Sequence, residues 1–126
     1  MANFEKFKAI PGARIGSYYA GITQNGTITF YTGFYQQEAL SAYKSAALWF
    51  DKQEKLIGVS FSKEHEEGNL KLHHSKAGKN ASIAASSFFK YYGLDVSNLT
   101  GRYKPTMITS DDGNDIFTIN TTQRIT

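Results

Sequence analysis

Gly26-Thr27-Ile28-Thr29-Phe30 alternates apolar Ile28 and Phe30 with threonine, the period-two pattern of a strand with one buried face. Thr23-Gln24-Asn25-Gly26 precedes it with the Asn-Gly pair favoured in tight turns, so Arg14 to Phe30 reads as a hairpin. The same run sets the register of the whole chain. With Ile28 over Ile83, an offset of 83 − 28 = 55, Ile15 falls on Leu70, Ser17 on Leu72 and Phe34 on Phe89. Farther on the offset becomes 111 − 51 = 60, and Asp51, Ile57 and Val59 fall on Asp111, Phe117 and Ile119. The turn around Asn98 to Gly101 is the simplest place for the added 60 − 55 = 5 residues. A repeat of this length predicts one domain folded from two pseudo-equivalent halves rather than an open solenoid.

Within the first half the period changes after Phe30. Tyr35, Ala39, Ala42, Tyr43 and Ala46 recur at helical spacing, with Thr32 as the N-cap. Leu48-Trp49-Phe50, a polar turn over 51–55, and Ile57, Val59 and Phe61 then form a second hairpin. The half reads ββαββ. After the acidic link 63–68 the order repeats, with a strand at Leu70 and Leu72, a turn from Lys76 to Asn80 and a strand about Ile83. A short helix from Phe88 to Tyr92 is capped by Ser86 or Ser87 and ended by Gly93, with Leu94 packing back on it. The closing hairpin runs through Tyr103 to Ile108, the turn Asp111-Asp112-Gly113, and Ile116 to Asn120. The expected core is Ile28, Phe30, Leu48, Phe50, Ile57, Val59, Ile83, Phe89, Ile108 and Ile119.

The expected organisation is an N-terminal arm over 1–13 and a single domain over 14–126, with halves 14–62 and 69–120. Its 126 residues are enough for a core without metal or disulfide support. Cysteine is absent, which excludes a disulfide framework, a thiolate nucleophile and a Cys-ligated metal. No apolar run approaches membrane-helix length and no signal core opens the chain, so a cytoplasmic protein is expected.

These residues resemble the AbrB-like, or swapped-hairpin, family of the SpoVT-AbrB and MraZ type. Gly26-Thr27-Ile28-Thr29-Phe30 stands where the family has its Gly-led strand. Ala46-Ala47-Leu48-Trp49-Phe50-Asp51 with Ile57-Gly58-Val59 stands where it has its final hairpin. The resemblance covers Arg14 to about Asn120 and implies a mostly β, pseudo-twofold barrel with short helices, closed within one chain by two copies. It also implies DNA binding and transcription regulation. The chain departs from the family pattern at Thr27, where an arginine is usual, at Tyr31, where a proline is usual, and at Gln36-Gln37-Glu38, where the helix is often basic.

Charge adds an independent indication. The net charge is +3, but from Asn69 to Lys104 six cations, Lys71, Lys76, Lys79, Lys90, Arg102 and Lys104, stand against Asp95 alone, giving 6 − 1 = +5. With His73 these are the expected nucleic-acid contacts. A solvated basic surface is the plain alternative. His73 and His74 point to opposite faces of a strand, so no metal is expected. Gly78-Lys79 lacks both the leading glycine, replaced by His73, and the hydroxyl residue, replaced by Asn80, of a phosphate-binding loop. Asp111, Asp112 and Asp115 read as turn solvation. No catalytic constellation and no cofactor are expected. Tyr18, Tyr19, Tyr31, Tyr91 and Tyr92 exceed what one buried face absorbs, which leaves open base stacking or a protein partner or second copy. Two functions follow: a non-enzymatic nucleic-acid-binding regulator, or a protein interaction module on the same barrel.

Overall fold

The computed structural model describes residues 18–109 and 115–125. The expected arm over 1–13, the strand residues from Arg14 to Ser17 and the Asp111-Asp112-Gly113 turn lie outside them. The chain runs β1 (Ala20–Ile22), β2 (Thr27–Phe30), α1 (Thr32–Gln37), β3 (Ser45–Asp51), β4 (Leu56–Ser62), β5 (Leu70–Lys71), β6 (His73–His74), β7 (Ala81–Ala84), α2 (Ser86–Tyr91), α3 (Val96–Leu99), β8 (Gly101–Tyr103), β9 (Thr106–Thr109) and β10 (Asp115–Asn120). A 3-10 turn over Leu40–Ala42 separates α1 from β3. The fold is mostly β. Two antiparallel sheets form, sheet A in the order β6-β7-β2-β1-β8 and sheet B in the order β5-β3-β4-β10-β9.

The centre of each sheet joins the first part of the chain to the second. In sheet A, β2 pairs with β7, with Ile28 opposite Ile83 and Thr27 opposite Ala84. In sheet B, β4 pairs with β10, with Val59 opposite Phe117 and Ile57 opposite Ile119. Each ladder maps onto itself under the offset read from the sequence, 55 for the first and 60 for the second. The pairing Ile28·Ile83 exchanges with itself, and Val59·Phe117 exchanges with Ile119·Ile57. Two corners link the sheets. β5 and β6 are separated only by Leu72, and β8 and β9 only by Lys104-Pro105.

The threonine–aliphatic alternation of β2 explains its placement, since Ile28 and Phe30 are buried while Thr27 and Thr29 are half-buried on the other face. Between the sheets Phe34 of α1 packs its ring 5.0 Å from Phe117, 5.4 Å from Phe30 and 5.0 Å from Tyr18. Phe88 and Tyr92, from α2 and the turn after it, meet Phe50 of β3, Tyr92 with its ring centroid 5.3 Å away. The helix end is a Schellman turn. Gly93 takes φ 65°, its N–H donates to Lys90 and the Leu94 N–H reaches back to Phe89.

Several sequence expectations need correction. The first helix is six residues long, not the longer stripe through Ala46, because Ala39 adopts a left-handed φ of 52° and ends it. Ala46 belongs to β3, where it is buried. Neither Thr32 nor Ser86 or Ser87 caps a helix. Tyr31 and Ala85 hold the cap positions without side-chain hydrogen bonds. The segment assigned the extra residues is not a plain turn, since its Asn98 and Leu99 end α3, a helix capped by Asp95, whose carboxylate accepts from Ser97 N–H at 3.0 Å. The pairing of Ser17 with Leu72 also shifts. Ile22 lies opposite Ile28, and one step along the β6·β7 ladder puts Leu72 opposite Ile83, so Leu72 corresponds to Ile22.

The core holds Ile28, Phe30, Ile57, Val59, Ile83, Phe89 and Ile119, while Leu48 and Phe50 are half-buried against it. Ile108 is 48% exposed, because the strand β9 has all four of its residues exposed. Phe34→Ala is therefore expected to cost about 3–5 kcal/mol in urea denaturation. Ile108→Ala is expected to stay within about 0.5 kcal/mol of the parent. Comparable losses for both would show that the aromatic centre is misplaced.

Candidate nucleic-acid interface

The outer face of sheet A is built by strand alternation. Residues directly opposite one another share a face. His73 pairs with Ser82, Ser82 with Thr29, Thr29 with Gly21, and Gly21 with Arg102. One row therefore crosses all five strands from His73 to Arg102, over four inter-strand steps of about 4.8 Å, or about 19 Å in all. No strand of the sheet carries an aspartate or glutamate.

Gly21 sits in this row because something lies on top of it. A Cβ there would meet the Tyr31 hydroxyl oxygen at 2.7 Å and Cε2 at 2.9 Å. Tyr31 follows β2 and leans back across β1, and the Arg102 guanidinium on β8 lies over its ring, 5.5 Å from the centroid. Such a contact at an exposed site contributes about 0.5–1 kcal/mol.

The strand carrying Arg102 is anchored from beneath. Tyr103 is buried and donates its hydroxyl to the Leu99 carbonyl at 2.6 Å. Burial raises its pKa, and nearby Arg124 acts in the opposite direction. The Ile125 N–H donates to the Arg102 carbonyl at 2.7 Å, so the C-terminal segment runs beside β8. Arg124 donates to the Thr100 carbonyl at 2.9 Å.

At the opposite edge His73 is exposed, and Lys71, exposed on β5 of sheet B, precedes it across the corner at Leu72. Lys76 and Lys79 lie in the turn after β6, which Ser75 organises by accepting from the Lys79 N–H at 3.1 Å and the Asn80 N–H at 3.3 Å. The structure therefore divides the +5 segment. His73, Lys76 and Lys79 lie at the β6 edge, Lys71 on β5 of sheet B, Arg102 on β8 with Lys104 in the corner after it, and Lys90 on α2, off both sheets.

His74 is committed elsewhere. Its Nδ1 lies 3.0 Å from the Tyr35 hydroxyl and its Nε2 2.8 Å from the Tyr43 carbonyl, so both ring nitrogens are occupied. Among the described residues no group of three metal-ligating side chains comes together. The five tyrosines expected at the surface also separate. Only Tyr91 is well exposed, at 81%. Tyr18 donates to Glu38 at 2.7 Å, and burial together with that hydrogen bond raises its pKa. Tyr92 packs on Phe88, and Tyr31 covers Gly21.

Comparison of the chain with protein-family models, with curated proteins and with solved structures finds no match. No helix of the described residues is long and apolar enough to cross a membrane.

The glycine beneath Tyr31 supplies a direct check. Gly21→Ala places a methyl where the ring lies, so the ring must swing away and the ring-current shift of the Arg102 side-chain protons is expected to vanish in NMR spectra. Because the clash is with the end of a side chain, the stability loss is expected at the low end for an added methyl, about 1 kcal/mol. Unchanged Arg102 shifts would contradict the placement of the Tyr31 ring between Gly21 and Arg102.

Proposed function

We propose that this chain is a non-enzymatic nucleic-acid-binding protein of AbrB-like type, its two ββαββ halves forming a pseudo-twofold β-barrel of the swapped-hairpin kind. The self-mapping ladders and the two corners shared by the sheets support the barrel reading. The binding face in this proposal is the outer face of sheet A. One observation carries it: five strands without an acidic residue, with His73 and the Lys76–Lys79 turn at one edge and Arg102, followed by Lys104, at the other. Short side chains at Thr29 and Ser82 let a phosphate backbone approach between the cations. The proposed role is regulation through DNA.

A protein-interaction module is the second reading, and a feature of sheet B favours it. Trp49 is 48% exposed and sits opposite Gly58, with Ile116 flanking the same glycine and Ile108 paired to Ile116. This gives sheet B an apolar outer face of the kind protein partners cover.

Binding measured over a salt series from about 50 to 200 mM separates the two, since phosphate contacts make affinity fall steeply with salt. Lys76→Glu with Lys79→Glu is expected to weaken binding and lower the salt slope by about one for each phosphate no longer neutralised. Lys90→Glu, off the sheet, is expected to leave the slope unchanged. Absence of binding at the lowest salt, on duplex and single strand alike, would favour the interaction module.

A further inference from the structure

We infer that the nucleic acid received by sheet A is single-stranded, with one base stacked on the Arg102 guanidinium and the strand running across the sheet toward His73. The inference rests on the proposed function and refines it. The stack is already layered, with Gly21 as floor, the Tyr31 ring above it and the guanidinium over the ring. Arg102 is exposed, so the side of its guanidinium turned away from the Tyr31 ring is open to a base, and bases stack on arginine planes as they do on aromatic rings.

The rest of the row fits the same ligand. Thr29 and Ser82 place hydroxyls in the middle of the sheet, and His73 ends the row with ring nitrogens at the far edge. The span of about 19 Å across five strands is the scale on which sheet faces take two or three unstacked bases.

Duplex DNA fits this face poorly. Its major groove is read by a projecting helix or two-stranded ribbon. The central positions of sheet A carry Gly21, Thr29, Ser82 and Ala84, none long enough to enter a groove. A single strand instead brings its bases down to the sheet.

The test uses the full chain, an oligothymidylate of about twelve nucleotides, and a duplex of the same length, both at low salt. Wild type is expected to bind the single strand at least about tenfold more tightly than the duplex. Arg102→Lys keeps the charge and removes the plane. It is expected to weaken single-strand binding by about five- to a hundredfold, the range of one base stack removed, and duplex binding by less, with the single-strand salt slope unchanged. Tyr31→Leu, which removes the support for the plane, is expected to act in the same direction. Circular dichroism on both variants confirms that they fold. Duplex binding as tight as single-strand binding, or an equal loss of both in Arg102→Lys, would overturn the single-strand inference while leaving nucleic-acid binding intact. Binding of neither probe by wild type would overturn both.

Discussion

The molecule depends on two antiparallel ladders that join the first part of the chain to the second, β2 with β7 and β4 with β10. At their centres Ile28 faces Ile83 and Ile57 faces Ile119, all four buried. Neither β2 nor β4 is an edge strand, so removing either ladder would expose backbone groups and aliphatic side chains together. Everything else attaches to this frame. α1 inserts Phe34 between the sheets on one side, and the α2 region packs Phe88 and Tyr92 against Phe50 on the other.

The same constraint shapes the two outer faces. Alternation sends the isoleucines inward and leaves threonine, serine and glycine outside on sheet A. On each sheet one glycine then makes room for an aromatic ring, Gly21 under Tyr31 and Gly58 beside Trp49. The faces differ in their surroundings. Sheet A has Lys76 and Lys79 in the turn after one edge strand and Arg102 on the other, whereas sheet B carries Trp49, Ile116 and Ile108 with Asp51 and Asp115 at strand ends.

Local pattern made much of the fold legible. The Thr-Ile-Thr-Phe alternation, the turn at Asn25-Gly26 and the stop at Gly93 each express a short-range steric rule, and the offsets 55 and 60 reappear as ladder registers. Long-range effects were less readable. Ala46 fits a helical stripe by spacing, but pairing with Phe61 in sheet B holds it in a strand. Ile108 has the residue type of a core position and lies on a strand with all four residues exposed. The basic segment looks continuous in sequence, yet the strand order of sheet A puts β2 and β1 between β7 and β8, so its cations lie at opposite edges. Tyr31 and Gly21 offered no signal as a pair. Their meeting depends on β1 lying beside β2 and on the ring leaning across it.

The two ladders are expected to open only when the whole domain unfolds. Native-state hydrogen exchange on the intact protein measures this at the amides of Ile28, Ile83, Ile57 and Ile119, which strand alternation places in cross-strand hydrogen bonds. All four are predicted to exchange with the same free energy, equal to that of global unfolding. Exchange of Ile28 and Ile83 at a markedly lower free energy than Ile57 and Ile119 would contradict it, because the β2·β7 ladder could then part while the rest of the molecule stayed folded.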